Sequence, residues 1–252
     1  MEKKEIRKFR NMIFTWWKMH RRDLPWRHTH DPYSILVSEV MLQQTQVLRV
    51  IPKYAEFIKR YPSVADLARA STADVLKLWK GMGYNRRALY LKKAAALGKI
   101  PGTEKELLKL PGVGKYTARA ILVFAFNKDI AAVDTNIRQI ITHFFFSDKP
   151  QKEKTIQDVA DQLLPAGKSW EWHQALMDYG AIEMPKLNIK KIMKKPGIPF
   201  KQSNRYVRGK IMNMVREGKI AEPPRLTRII DGLVKDGLVE RKNGKIQLPD
   251  GY

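Results

Sequence analysis

The sequence predicts an all-α protein of two lobes with a small C-terminal winged-helix-like tail. Apolar residues recur at three- and four-residue spacing, three Ser/Thr-x-x-acid triplets mark helix starts, and 252 residues exceed the usual single core. In the first helix Ile6, Phe9, Ile13 and Trp16 form one stripe, with Lys and Arg turned outward and Pro25 as the stop. Asp31-Pro32 opens the next helix, a proline being tolerated in a first turn, and that helix runs through Ile35, Leu36, Val37, Val40, Met41 and Leu42. Ser63 with Asp66, Ser71 with Asp74 and Thr103 with Glu106 start three more.

A helical segment then breaks at Pro111-Gly112-Val113-Gly114 and restarts through Lys115-Tyr116-Thr117-Ala118. Both glycines are expected to take positive φ in a tight helix-to-helix turn, leaving peptide N–H groups open to an incoming phosphate. Asp134 heads a further helix. From Met184 the periodicity fades into Pro185, Pro196, Gly197 and Pro199 alternating with lysines, a basic connector. Beyond it, helices over Tyr206–Val215 and Leu226–Val234 precede a hairpin turned at Asn243-Gly244, the order of a winged helix.

Composition bounds the function. Forty-eight Lys and Arg against 25 Asp and Glu give a net charge of +23, which points to a polyanionic partner. The charges are interleaved with 44% hydrophobic residues, which suits a folded nucleic-acid binder better than a disordered tail. The longest apolar runs, such as Ala118 to Phe126, are far too short to span a membrane, and Met1-Glu2-Lys3-Lys4-Glu5 does not read as a signal peptide. The expectation is a cytoplasmic protein, nucleoid-associated in a prokaryote. Zero cysteines exclude disulfides, thiolate zinc sites and cysteine-ligated clusters. His28, His30, His143 and His173 have no metal-ligand spacing, and Trp16, Trp17, Trp170 and Trp172 read as core or lobe-contact residues rather than base platforms.

Two carboxylates stand out. Glu39 lies among Ile35, Leu36, Val37, Val40, Met41 and Leu42, so it is either a solvated helix residue or an acid facing an internal pocket with a raised pKa. Asp134 ahead of Thr135-Asn136-Ile137 has the form of an N-cap, so it is either a cap alone or a cap that also does chemistry.

At this point the residues resemble a known family. Leu110-Pro111-Gly112-Val113-Gly114-Lys115-Tyr116-Thr117-Ala118 followed by Val133-Asp134-Thr135-Asn136 is similar to the helix-hairpin-helix and Gly/Pro-Asp signature of base-excision DNA glycosylases. Leu24-Pro25-Trp26-Arg27, Ser38-Glu39-Val40-Met41-Leu42-Gln43-Gln44-Thr45-Gln46, Gly81-Met82-Gly83-Tyr84 and Gln174-Ala175-Leu176-Met177-Asp178-Tyr179-Gly180-Ala181 resemble the MutY-type adenine glycosylases within it. The likeness implies a helix-hairpin-helix glycosylase fold: residues 1–30 and 135–200 as one lobe, 31–134 as a six-helix barrel lobe holding the hairpin motif 104–126, and 201–252 as the tail.

It also implies a mechanism on double-stranded DNA carrying a mismatch or an oxidised base. Glu39 would protonate the extruded adenine and help activate water, and ionised Asp134 would stabilise the oxocarbenium-like sugar, with Tyr116 and Asn136 completing the catalytic set. Trp26, Arg27, Leu42, Val47 and Gln174 would line the base pocket. Gln43, Gln44, Thr45, Met82, Tyr84, Gly112, Gly114 and Lys115 would contact DNA, with room for a monovalent cation at the hairpin. The bifunctional endonuclease III branch carries a lysine where Tyr116 stands, so the resemblance implies a monofunctional, monomeric enzyme. A thymine or uracil mismatch glycosylase and a non-catalytic DNA-binding module are the alternatives.

Two departures are evident. The four cluster-ligating cysteines of MutY-type enzymes fall, in a gapless reading, on Met184, Lys191, Lys194 and Phe200, so no iron-sulfur cluster is expected, and Met184 and Phe200 are candidates to fill its space. Residues 201–252 are too few for the MutT-like domain that reads 8-oxoguanine in typical members, though Ser203–Lys210 resembles the short tails of some bacterial ones.

Overall fold

The computed structural model describes residues 1–187, 199–218 and 220–251. The Lys191 and Lys194 positions, and most of the expected basic connector, lie outside them. Thirteen α-helices and three short strands are described: α1 (Lys3–His20), α2 (Pro32–Leu42), α3 (Val47–Arg60), α4 (Val64–Arg69), α5 (Thr72–Leu78), α6 (Arg86–Ala95), α7 (Glu104–Leu107), α8 (Lys115–Phe126), α9 (Thr135–Phe146), α10 (Glu153–Leu163), α11 (Ser169–Ile182), α12 (Asn204–Glu217), β1 (Ile220–Ala221), α13 (Thr227–Lys235), β2 (Glu240–Lys242) and β3 (Lys245–Gln247). The chain packs as two units, Met1–Glu39 with Pro101–Lys109 and Val113–Ile192, and Val40–Ile100 with Leu110–Gly112 and Met193–Tyr252.

The first unit is built on α11. Helices α1, α8 and α9 pack on it and α10 packs on α9, around a core of Phe9, Ile13, Trp17, Ile137, Ile140, Ile141, Ile156, Leu163, Trp172, Leu176 and Met184. Each such side chain contributes roughly 1.5–3 kcal/mol by leaving water. The stripe of α1 runs through Trp17, with Trp16 only half-buried. The helix ends at His20, ahead of Pro25, because the chain must turn there to bring the Arg22 N–H onto Asp178, 3.1 Å away. α8 belongs to this unit because its apolar face, including Ala118, Ile121 and Leu122, is buried and packs towards α11. The boundaries therefore cut through the 31–134 segment expected as one lobe.

In the second unit α4 and α5 pack on α6. Phe57 and Trp79 are fully buried with their rings edge to face at 6.1 Å. The three expected caps are present: Ser63, Ser71 and Thr103 accept from the N–H groups of Asp66, Asp74 and Glu106, and Ser63 with Asp66 closes a full capping box.

The tail packs within the second unit. α12 lies against α13, α5 and β3, Arg216 Nε donates to the Leu76 carbonyl at 2.9 Å and its Nη2 to Asn85 Oδ1 at 2.8 Å. The Asn243-Gly244 turn joins β2 to β3 with φ values of 52° and 69°. Strand β1, too short to show in the sequence pattern, pairs antiparallel with β3 to give the order β1-β3-β2.

Candidate active site

Glu39 sits near the end of α2, which is buried on almost every side, and it is only 5% exposed. Burial pushes it up to about 7; the Tyr116 hydroxyl, which donates to it, works against that rise and the charge of Asp134 adds to it. Tyr116, in the first turn of α8, is held well above its ordinary range by burial and by the two carboxylates. The first unit thus brings together three residues drawn from separate helices.

Asp134 is the N-cap of α9. One oxygen accepts the Ile137 N–H at 2.7 Å as the N-cap of α9, and the other accepts Asn136 Nδ2 at 3.0 Å. Burial raises its pKa, and these bonds from Ile137 and Asn136 oppose that rise by favouring the anion. Asn136 is itself fixed by Gly180 of α11: a Cβ there would lie 2.6 Å from the Asn136 Cβ, so only glycine lets α11 approach this closely. The two carboxyls stand in contrasting surroundings, one desolvated and hydrogen-bonded by a hydroxyl, the other fed by backbone and amide donors.

Trp26 is buried in a 3-10 turn over Pro25–Arg27, and Gln174 is buried on α11. Arg27, expected to line a base pocket, is buried. Its guanidinium grips Asp178, Nη1 to Oδ2 at 2.8 Å and Nη2 to Oδ1 at 2.7 Å, and donates to the Arg22 carbonyl at 2.6 Å. Only its Nε is left buried without a partner. Trp17 Nε1 and Arg22 Nε reach the same carboxylate at 2.9 and 2.6 Å. Burial alone would raise Asp178, but bonds from Arg27, Arg22 and Trp17 outweigh it and hold the carboxyl below its usual range. Arg27 thus fixes the Leu24–Arg27 turn to α11, and with it Trp26.

At the hairpin, Gly112 has φ +77°, and a Cβ there would come within 2.6 Å of the Tyr90 ring. Gly114, expected to be alike, is extended at φ −93° as the N-cap of α8, with open space where a Cβ would go. Lys115 follows it, exposed in the first turn of α8.

The second unit holds the other expected contacts. Leu42 and Val47 are half-buried at the facing ends of α2 and α3. Gln44 and Tyr84 are held at φ 53° and 43°, a left-handed conformation that costs a non-glycine residue about 1 kcal/mol or more. What holds them there is Arg87, which sequence reasoning missed because an arginine inside a helical pattern reads as a solvated residue. Its buried guanidinium donates to the carbonyls of Val40, Met41 and Gln43 and, across the other loop, to those of Met82 and Gly83, all at 2.6–3.2 Å. Thr45 Oγ1 also accepts from it at 3.0 Å. Desolvation holds Arg87 down to about 10. Met82 is buried and Thr45 is spent on Arg87, so these two support the loops from within, while Gln44 and the 39% exposed Tyr84 face outward.

Met184 stands where the first cluster cysteine would be and is buried in the first unit's core. Phe200, the other proposed filler, is 59% exposed in the second unit, edge-on to Tyr206, and fills no such space. A chain without cysteine and with a packed thioether at this position does not fit a thiolate-held cluster. Among the described residues no group of His, Cys, Asp or Glu could hold a metal ion, and no helix is long and apolar enough to cross a membrane.

Residues 37–165, which span Glu39, the hairpin and Asp134, match the family described as HhH-GPD superfamily base excision DNA repair protein. The chain belongs to the HhH-GPD superfamily. Among similar proteins, an adenine DNA glycosylase of Mycolicibacterium smegmatis is 33% identical across 91% of this chain and 92% of its own. A thymine/uracil-DNA glycosylase of Methanothermobacter thermautotrophicus is 36% identical across 71% of this chain and 86% of its own. The solved structure of a thermostable thymine-DNA glycosylase superposes with a TM-score of 0.67 at 36% identity, over 71% of this chain and 87% of that one. This HhH-GPD chain therefore shares its fold with proteins that differ in the base named as their target.

Proposed function

We propose that the protein is a monofunctional DNA N-glycosylase that hydrolyses the glycosidic bond of adenine mispaired with 8-oxoguanine or guanine, acting as a monomer on double-stranded DNA. The observation that carries the reading is the buried Glu39, which accepts from the Tyr116 hydroxyl and which burial, aided by the charge of Asp134, raises to about 7. Glu39 holds a proton for the departing adenine, whose ring nitrogens accept it, and then takes one from the attacking water. Asp134, whose anionic form the Ile137 and Asn136 donors favour, faces the positive charge that develops on the sugar. Tyr116 offers a hydroxyl where a lyase would need an amine, so no Schiff base forms and trapping with borohydride yields no protein–DNA adduct. Gln44 and Tyr84, held outward on left-handed turns, fill the gap left by the extruded base, while Gly112 and Lys115 meet phosphates.

The adenine reading over the thymine or uracil one rests on the extent of likeness: the adenine glycosylase aligns over 91% of the chain, and so into the tail, against 71% for the thymine/uracil glycosylase. Incubation with duplexes carrying A:8-oxoG, A:G, T:G and U:G pairs, followed by alkali, tests it. Strand cleavage at adenine is expected. Cleavage at T:G or U:G alone would establish the pyrimidine reading, and cleavage of none would leave a DNA-binding module.

A further inference from the structure

His173, on α11, is 2% exposed, and both of its ring nitrogens are engaged within the first unit. Nδ1 lies 2.7 Å from the Ser169 carbonyl, which can only accept, so Nδ1 carries the proton and Nε2 is bare. Burial pulls the ring down to about 4, which keeps this neutral form at neutral pH. The bare Nε2 accepts the Ala132 N–H at 2.9 Å. A ring with no free nitrogen and almost no exposure exchanges no proton with a substrate, so its role lies in what it holds.

Ala132 belongs to residues 127–134, the stretch from the end of α8 to Asp134, which is neither helix nor strand. Ala131 and Ala132 are buried all the same, and buried peptide groups need partners. Side chains from three helices supply them: Arg119 of α8 and Gln157 of α10 both donate to the Ala131 carbonyl at 3.1 Å, and His173 of α11 takes the next N–H. Helix α11 meets the stretch at successive points. Its Trp170 N–H donates to Asn127 Oδ1 at 3.1 Å, its His173 holds Ala132, and its Gly180 lies against Asn136. His173 and Gly180 are about two helical turns apart and so share one face of α11. Their contacts bracket Asp134, at the second residue before it and the second after. Resting on the glycosylase reading above, we propose that His173 is a positioning residue, a fixed acceptor for the Ala132 N–H that with Gly180 sets where α11 holds the Asp134 carboxylate against the substrate sugar.

The test compares His173→Leu, which keeps the volume and removes the acceptor, with His173→Gln, whose amide can both accept from Ala132 and donate to Ser169. Single-turnover excision of adenine opposite 8-oxoguanine should fall by about 10–100-fold in the leucine variant and recover most of its rate in the glutamine one. Affinity for the same duplex carrying a cleavage-resistant 2′-fluoro-deoxyadenosine should be unchanged in both, because His173 is buried away from DNA. Ile13→Val, a core change on α1, controls for lost stability and should keep the wild-type rate. A leucine variant at the wild-type rate overturns the proposal, as does a glutamine variant as slow as leucine or a rate that simply follows the melting temperature across the three. Hydrogen exchange reads the same contact without substrate: the Ala132 and Ile137 amides should exchange slowly in the wild type and faster in His173→Leu. Free exchange of Ala132 in the wild type overturns the proposal even if the leucine variant does not fold. A wild-type protein that excises no adenine defeats the glycosylase reading alone, since the exchange result stands apart from it.

Discussion

Replacing Glu39 by Gln should stabilise the protein at high pH while removing its activity. Glu39 has an ordinary value of 4.5 and is raised to about 7 by burial. Below about pH 4.5 the folded and unfolded chains both hold the proton and the site carries no penalty. Between 4.5 and 7 the unfolded chain releases it first, so stability falls with rising pH, and above 7 the folded chain bears a buried charge costing about 3 kcal/mol. Glutamine has nearly the same shape, still accepts from Tyr116, and never ionises. Urea denaturation at pH 4.5 and pH 8 should therefore show Glu39→Gln gaining roughly 3 kcal/mol on the wild type between the two. Single-turnover excision by the variant should fall by about 10²–10⁴-fold, and the wild-type rate should decline above pH 7 as the acid is lost. Stability curves that run parallel for the two proteins across this range would refute the desolvated-acid argument, whatever the activity did.

Other outcomes follow from the same geometry. Asp134→Asn should keep the α9 cap and lose excision by about 10²–10³-fold, whereas Asp134→Ala should also cost about 1 kcal/mol, as thermal melts would show. Gly180→Ala would press a methyl 2.6 Å from the Asn136 Cβ, costing about 1–3 kcal/mol and lowering excision through the displaced Asn136, measurable by melting and turnover. Arg87→Met should remove the donor shared by two loops, destabilising the fold by at least about 3 kcal/mol and weakening DNA binding in a titration.

Helix stripes, caps and the Asn-Gly hairpin were legible in the sequence because each follows from local spacing. Both acids were legible as candidates too, yet for opposite reasons: Asp134 from its position before a helix, Glu39 from being a charge where no polar face exists. The network around Asp178 was not, since Arg22, Arg27 and Trp17 lie more than 150 residues away in the chain and nothing local marks them as its partners. Arg87 was hidden for the same cause, as its acceptors are backbone carbonyls, which leave no trace in residue type. Gly114 shows the converse error, a glycine beside a turn whose backbone does not demand one.

The fully buried Asp178 has a consequence for how this chain can change over time. Removing either Arg27 or Asp178 leaves a charge stranded in the interior, at a cost of several kcal/mol, while exchanging both for apolar residues of similar volume can be neutral. Such a pair drifts together or not at all, so descendants of this chain should fall into two groups, those that keep both charges and those that keep neither.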